Sequence, residues 1–130
     1  MKRHLAIFSK DVGEKILTGQ KTMESRFSQS KNAPFQQIST GDLVYIKPSG
    51  KEIIGEFRVN KVIFFDGLTP QDLLDIEKRY GAELAVDQTY WANKAASRYG
   101  TLIWVGQTQQ FLTSPVKFPK KDQRGWVVLD

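Results

Sequence analysis

The sequence predicts an α+β domain: a small, mostly antiparallel β-barrel that carries two or three short helices. Short runs of aliphatic, β-branched and aromatic residues recur along the chain between turn residues, which is typical of a barrel of short strands. Two or three helical patterns interrupt these runs. The length of 130 residues suits one domain with a single core. We therefore interpret residues 1–130 as one domain.

The N-terminal part is predicted to form a strand, a short helix, a second strand and a long connection. Leu5–Phe8 is an apolar run typical of a buried strand. The helix that follows is expected to end at Gly19, which suits the left-handed position after a helix. Thr22–Phe27 then leaves as a strand. Residues 28–40 are polar and form a longer connection than most, and long connections are often functional.

The remainder of the chain is predicted to alternate strands with two further helices. Thr69 can cap a helix whose first position is a proline, and Gly81 is expected to end it. Another helix is predicted over Thr89–Tyr99, closed by Gly100. The strands predicted in this part are Leu43–Ile46, Ile53–Phe65, Thr101–Val105, Phe111–Leu112 and Trp126–Leu129. Ile53–Phe65 is predicted as one long strand or as two strands with a bend between them.

The composition excludes several kinds of site. The chain has no cysteine and a single histidine, His4, which excludes disulfides, thiol nucleophiles and zinc sites built from cysteine or several histidines. We expect no metal and no cofactor. No apolar run approaches the roughly 20 residues that cross a bilayer, and the run after the basic start is too short for a signal peptide. We therefore expect a cytoplasmic protein with no membrane partner.

The charge distribution favours an anionic partner without requiring one. The net charge is +5, yet residues 66–87 carry six acidic and two basic groups. A basic surface that excludes one acidic segment suits a phosphate backbone, although a basic surface without a specific role explains the charge equally well. The basic run Lys117–Arg124 is interpreted as a solvated loop, with phosphate contact as the alternative.

The stretch "GQKTMESR", residues 19–26, places three charged groups directly after the first helix. Side chains alternate along a strand, so Thr22, Glu24 and Arg26 should share one face. Lys21 lies at the turn and can lean toward that face. By itself this pattern describes a solvated strand with an ordinary salt bridge, which contributes little to stability.

The run "ILTGQKTMESR", residues 16–26, resembles the G-x-K-x-x-E-x-R signature of ASCH (activating-signal-cointegrator homology) domains. The surroundings agree with it: an apolar strand precedes the helix, Gly41-Asp42 opens a strand, and Gly125–Leu129 resembles the last strand of the family. The resemblance extends over essentially the whole chain. Since ASCH domains are similar to PUA-like barrels, which include many RNA-binding modules, it implies a PUA-like barrel.

The resemblance implies a cleft beside the first helix that binds RNA or a nucleotide-like ligand. Gly19 would shape the turn, while Lys21, Glu24 and Arg26 face the cleft with Thr22 beside them. Lysine offers a point charge and arginine a planar fork for phosphate or a base edge. The carboxylate can accept from an exocyclic amine or orient the two cations.

Aromatic side chains extend the predicted site, because bases of single-stranded RNA stack on such rings. Tyr90 and Trp91 are the candidates for stacking, although core packing is the commoner role for such residues. Phe27 and Phe35 flank the long connection and are candidates for a pocket wall. Trp126 is interpreted as structural.

Two other functions stay open. One branch of the family resembles amidohydrolases that deacetylate acetylated cytidine, in which the signature lysine activates a threonine with help from a downstream glutamate. Lys21 matches this pattern, but Glu24 stands in the place of the threonine, and Glu77 lies in about the right helix for the acid. Glu24 could instead activate water in a hydrolase or ribonuclease, with Lys21 or Arg26 stabilising the anion. A protein-interaction adaptor that uses the acidic segment is the third hypothesis, and the oligomeric state is not predicted.

Overall fold

The computed structural model of this chain describes residues 1–114 and 124–130. Within them, six strands and three helices follow one another, which confirms the predicted α+β class. Their order is β1 (Arg3–Phe8), α1 (Val12–Leu17), β2 (Met23–Ser28), β3 (Leu43–Pro48), β4 (Gly55–Asp66), α2 (Pro70–Leu84), α3 (Gln88–Asn93), β5 (Tyr99–Gln110) and β6 (Trp126–Val128). None of these described helices is long and apolar enough to cross a bilayer.

The six described strands form one curled sheet in the order β2-β5-β4-β3-β1-β6. β1 and β3 run parallel, and the other four pairings are antiparallel. β2 and β6 are the two edges, so the barrel is open. The prediction of a mostly antiparallel sheet is confirmed. The candidate site lies at the gap between the two edge strands.

Three apolar clusters pack around this sheet. The first lies among α1, β1, β3, β4 and β5 and includes Ala6, Val44, Phe57 and Ile103. The second lies between the sheet and the helices α2 and α3, and the third is a smaller group around Leu5. Burial of these side chains is the main stabilising contribution, at roughly 25 cal/mol per Å² of apolar surface. The sheet therefore carries apolar residues on both faces.

Helix α2 is longer than the sequence predicts. Gly81 does not end it: the helix continues to Leu84, and Ala85 takes the left-handed conformation with φ of 53°. A glycine inside a helix costs about 0.5–1 kcal/mol, which the complete burial of the Leu84 side chain offsets. The extra turn brings the carbonyl of Leu84 to the start of β2.

The helix predicted over Thr89–Tyr99 is wrong in its second half. Helix α3 ends at Asn93, and Tyr99 and Gly100 begin β5. The ring of Phe27 lies so close to Gly100 that an added Cβ would come within 2.6 Å of it. The glycine therefore permits close packing inside a strand rather than ending a helix.

Strand β5 is longer than the sequence predicts and continues through the predicted break between Thr101–Val105 and Phe111–Leu112. It runs without interruption to Gln110, so Phe111–Leu112 is not a separate strand. The length of the strand follows from its pairing with β4, which continues past Phe57 through two register shifts. The predicted basic loop at Lys117, Lys120 and Lys121 lies outside the described residues.

Candidate functional site

The three charged residues of the signature converge at the start of β2. The Glu24 carboxylate accepts a hydrogen bond from the backbone N–H of Ser25 at 3.0 Å. Its other oxygen accepts from Arg26 Nη2 at 3.1 Å, and Lys21 Nζ lies 3.4 Å from the first. One carboxylate thus lies between two cations, the grouping that the alternation of the sequence predicts for Glu24 and Arg26.

Lys21 is anchored inside the protein. Its side chain is 1% exposed, and its Nζ donates to the carbonyl of Leu84 at the end of α2. The last carbonyls of a helix lack partners within it and carry the negative end of the helix dipole, so they favour a cation. The backbone N–H of Lys21 donates to Lys15 in α1, and that of Thr22 donates to Glu83 in α2. This end of the signature therefore joins two helices to the sheet.

Thr22 does not share the environment predicted for it. Strand β2 begins at Met23, one residue later than expected, and the Thr22 side chain is exposed whereas Glu24 is buried. The backbone N–H of Thr22 donates to the carbonyl of Glu83 in α2, and the carbonyl of Thr22 accepts from the N–H of Val105 in β5. The predicted common face therefore holds for Glu24 and Arg26 alone.

Arg26 connects the two edges of the open barrel. It lies on the edge strand β2, yet its Nη2 donates to the carbonyl of Ile7 in β1 at 3.0 Å, and its Nη1 donates to the carbonyl of Gly125 before β6 at 3.1 Å. Its guanidinium carbon lies 5.0 Å from the ring centres of both Phe8 and Trp126. A guanidinium has five N–H donors. These bonds and the one to Glu24 use three of them.

A hollow of about 200 Å³ adjoins Arg26 at the gap between the edges. We call it the Arg26 hollow. Its wall includes Arg26, Ser28, Phe35, Lys94, Tyr99 and Trp126, and Phe27 also contributes. Lys31 does not line the hollow, but its Nζ lies 5.6 Å from the centre of the Tyr99 ring, which does. No acidic side chain lines the hollow within the described part of the chain.

A second hollow, of about 250 Å³, lies between α1 and β5 at the other end of the signature. Gly19, Lys21 and Thr22 line it, and Gly19 has φ of +82°, the left-handed turn expected after the helix. The ammonium group of Lys21 is directed instead to Glu24 and Leu84. Glu24 lines neither hollow. The cleft predicted to hold all three charged groups is thus divided into two.

Tyr90 and Trp91 pack behind β2 and line neither hollow. The Tyr90 hydroxyl lies 2.6 Å from Ser25 Oγ and donates to the Ser25 carbonyl at 3.2 Å. Burial, and then the charge of Glu24, raise the pKa of Tyr90. The ring of Trp91, only 9% exposed, packs against Phe27 with 6.0 Å between their centres. This geometry gives no support to stacking of a ligand on either ring.

A buried polar chain that the sequence analysis missed holds Trp126 in the wall of the hollow. Trp126 Nε1 donates to His4 Nδ1 at 3.0 Å, which leaves His4 Nε2 to donate to Asp42 at 2.9 Å. Burial alone would raise the pKa of Asp42, but the hydrogen bonds from Lys2, His4 and Ser39 outweigh it and lower the pKa below its usual range. His4 and Asp42 are 38 positions apart, and only the parallel pairing of β1 with β3 brings them together.

The sequence does not single out three further residues: Lys94 and Tyr99, which line the hollow, and Lys31, whose Nζ lies over the Tyr99 ring. The helix predicted over Thr89–Tyr99 does not indicate the place of Tyr99 opposite Ser28 in the β2–β5 pairing. The run of strand-forming residues that starts at Tyr99 could have indicated the earlier beginning of β5. The two lysines stand on irregular segments, and no pattern in the sequence singles them out.

The three residues considered for hydrolysis, Lys21, Glu24 and Glu77, all have partners within the fold. The ammonium of Lys21 and the carboxylate of Glu24 are bound to each other and to further partners. The carboxylate of Glu77 accepts from Gln88 Nε2 at 2.9 Å. Among the described residues, no group of three or more histidine, aspartate or glutamate side chains could hold a metal ion.

Comparison with known proteins yields structural relatives only. No family model and no curated protein matches the sequence. Two point variants of the ASCH protein of Zymomonas mobilis are similar to it in structure, with TM-scores of 0.74 and 0.75 at 15% identity. The alignments cover 100% and 99% of this chain and 91% and 89% of theirs. The protein EF3133 of Enterococcus faecalis is similar with a TM-score of 0.55 at 10% identity, over 84% of this chain and 76% of that one.

Proposed function

The chain has the fold of ASCH proteins, as its sequence predicts, and on this premise we propose that it binds single-stranded RNA or a nucleotide-like ligand in the Arg26 hollow. The observation that carries the proposal is the position of the Arg26 guanidinium, which borders an opening walled by aromatic rings. Nucleotides combine an anionic phosphate with a flat base, and this wall offers a partner for each.

The charges around the hollow support an anionic ligand. Arg26 retains two N–H donors beyond its described bonds, one on Nε and one on Nη1, and each can donate to a phosphate oxygen. Lys94 lines the hollow together with Arg26, and Lys31 lies over the Tyr99 ring of its wall, so two cations border the opening and a third lies close to it. The nearest carboxylate of the signature, Glu24, is already balanced by Lys21 and Arg26. A phosphate would meet no unpaired negative charge from the signature.

The size of the hollow supports a small occupant. Pockets for drug-sized ligands span about 300–1,000 Å³, and the Arg26 hollow has about 200 Å³. The rings of Tyr99 and Trp126 lie in its wall and suit one base. We propose that a single nucleotide of the strand enters, while its neighbours stay at the surface.

Binding of a fluorescein-labelled single-stranded RNA, followed by anisotropy, tests the proposal. Replacement of Lys94 by Gln should weaken binding and reduce the salt slope by roughly 0.7, the value for one phosphate contact on a single strand. Lys51→Gln is the matched control, because Lys51 is exposed in the β3–β4 turn and carries the same charge. Arg26→Ala should weaken binding further. Equal losses in Lys94→Gln and Lys51→Gln would mean that the hollow is not the binding site.

Hydrolysis of acetylated cytidine or RNA is the weaker hypothesis. The amidohydrolase pattern needs a hydroxyl nucleophile beside the lysine, and Glu24 stands there instead. A general base must reach the proton that it removes, but Glu24 lines neither hollow. Binding without turnover is therefore the function proposed.

A further inference from the structure

One buried polar atom has no partner within the described part of the chain: the hydroxyl oxygen of Thr101, whose side chain is almost completely buried. An unpaired buried hydroxyl costs about 1–3 kcal/mol relative to a bonded one, so such atoms are rare and need an explanation. Threonine can both donate and accept. The atom is thus able to bond to a polar partner that the described part of the chain does not supply.

Thr101 lies on the face of the sheet that carries the Arg26 hollow. In the β2–β5 pairing it is directly opposite Arg26, and in the β4–β5 pairing it is directly opposite Phe64. Tyr99 precedes it by two positions on the same strand and therefore points to the same side. Arg26 and Tyr99 both line the hollow. Thr101 does not itself line the hollow, so its unpaired hydroxyl lies beside the hollow on the same face of the sheet, next to residues that do line it.

The ring of Phe35 lies against two neighbours of Thr101 on this face of the sheet. It packs against Phe64 with 5.8 Å between ring centres and against Tyr99 with 5.3 Å, the two residues that flank Thr101. Phe35 belongs to the connection between β2 and β3, not to a strand or helix. It is the only buried apolar side chain of the described residues that joins none of the three core clusters. An apolar ring from a connection thus packs on the two residues next to the unpaired hydroxyl, and a phenyl ring has no polar atom with which to satisfy it.

We infer that the Phe35 ring occupies a subsite for one nucleobase, and that the base displaces it and hydrogen-bonds to the Thr101 hydroxyl. The inference rests on the proposed function. A base is a flat ring like phenylalanine, so it can pack on Phe64 and Tyr99, but its edge carries donors and acceptors that phenylalanine lacks. Departure of the ring also enlarges a hollow that is small for a nucleotide.

Displacement of a resident ring has a measurable consequence. A site that is open in only a fraction of the molecules binds more weakly by that fraction. Removal of the Phe35 ring should therefore tighten binding of a base, whereas removal of an ordinary wall residue would weaken it. The opposite signs separate a displaceable ring from a permanent wall.

The test uses two probes, fluorescein-labelled hexauridylate and a labelled hexamer of abasic ribose phosphate, with anisotropy as the measurement. Phe35→Ala should bind hexauridylate more tightly, about tenfold if a tenth of the wild-type molecules are open. Thr101→Val should bind it more weakly, roughly threefold to tenfold for one lost hydrogen bond, and Thr101→Ser should stay close to wild type. Affinity for the abasic hexamer should not change in any of these variants.

Thr101→Val also keeps the test valid if Phe35→Ala folds poorly. Valine has nearly the shape of threonine, and the thermal midpoint of the variant should equal or exceed that of wild type, because the Thr101 hydroxyl makes no hydrogen bond to the described residues. Unchanged or weaker binding by folded Phe35→Ala would overturn the displaced ring, and wild-type affinity in Thr101→Val would overturn the hydroxyl contact. If Arg26→Ala loses binding but Phe35→Ala and Thr101→Val do not behave as expected, the base subsite is refuted while the proposed function stands. If wild type binds neither probe, the proposed function fails with it.

Discussion

The two ends of the charged signature differ in what surrounds them. The Lys21 side chain is 1% exposed and its charge is directed to Glu24 and the end of α2. The Arg26 side chain is 22% exposed, borders a hollow and retains N–H donors beyond those used within the protein. Five positions apart in sequence, one cation is committed to the fold and the other is available to a ligand.

This difference shows why a motif of charged residues is not one functional unit. Glu24 forms an ion pair with both cations, so it does not account for the difference between Lys21 and Arg26. The surroundings decide: Lys21 meets the carbonyl at the end of a helix, whereas Arg26 meets the gap between two sheet edges. Changes at the first end should therefore affect stability, and changes at the second should affect binding.

The largest expected effect follows from Lys21→Met. This variant keeps the length of the side chain but leaves the Leu84 carbonyl without its cation and the buried Glu24 carboxylate with Arg26 as its one remaining cation. Removal of one partner from a buried pair costs about 3–5 kcal/mol, and because Arg26 stays we expect a loss of about 3 kcal/mol, at the lower end of that range. Urea unfolding should show this loss, and Lys15→Met, which removes a less buried lysine of α1, is the control. A loss below about 1 kcal/mol, the range of exposed pairs, would refute the anchoring role.

Asp42 is a second stabilising residue, and its contribution to the free energy of unfolding should depend on pH. Asp42→Asn weakens the bonds from Lys2, His4 and Ser39, at a cost of about 2 kcal/mol in the free energy of unfolding at neutral pH. Because folding lowers the pKa of Asp42, its contribution is present above the ordinary aspartate value of about 3.9 and is lost as pH falls through the folded value. Urea midpoints of the two proteins should converge on acidification below about pH 3.9. A constant difference down to the acid limit would contradict this assignment.

The exposed end should respond differently to a conservative change. Arg26→Lys retains the charge, but one ammonium cannot reach the carbonyls of Ile7 and Gly125 together. We expect a loss of about 1.5 kcal/mol in stability, less than at Lys21, together with weaker RNA binding at low salt. Stability and affinity are measured on the same preparation. Full retention of affinity would show that the ligand does not depend on the guanidinium group.

The smallest effect is expected behind β2. Tyr90→Phe removes a hydroxyl that bonds to Ser25 and should cost about 0.5–1.5 kcal/mol. Because Tyr90 lines neither hollow, RNA affinity should equal that of wild type. Thermal midpoints and anisotropy provide both numbers. Weaker RNA binding by folded Tyr90→Phe would contradict this expectation and show that Tyr90 takes part in binding.

The sequence predicts what local patterns encode. Alternation along residues 22–27 places Glu24 and Arg26 on one face, and turn residues define most strands. It fails where long-range packing decides: burial of Leu84 carries α2 past Gly81, and close approach of Phe27 makes Gly100 a strand residue. The hollow itself arises from two edges that are distant in sequence, so its lysines could not be foreseen.

The three tryptophans allow the central claim to be tested in one experiment. Trp126 lines the Arg26 hollow, Trp91 packs behind β2, and Trp104 packs against Tyr80 of α2. Each indole N–H gives its own signal in a ¹⁵N–¹H correlation spectrum, recorded during titration with single-stranded RNA. The account predicts that the Trp126 signal shifts with the RNA while the signals of Trp91 and Trp104 stay in place. A shift of Trp91 or Trp104 with Trp126 unmoved would contradict it.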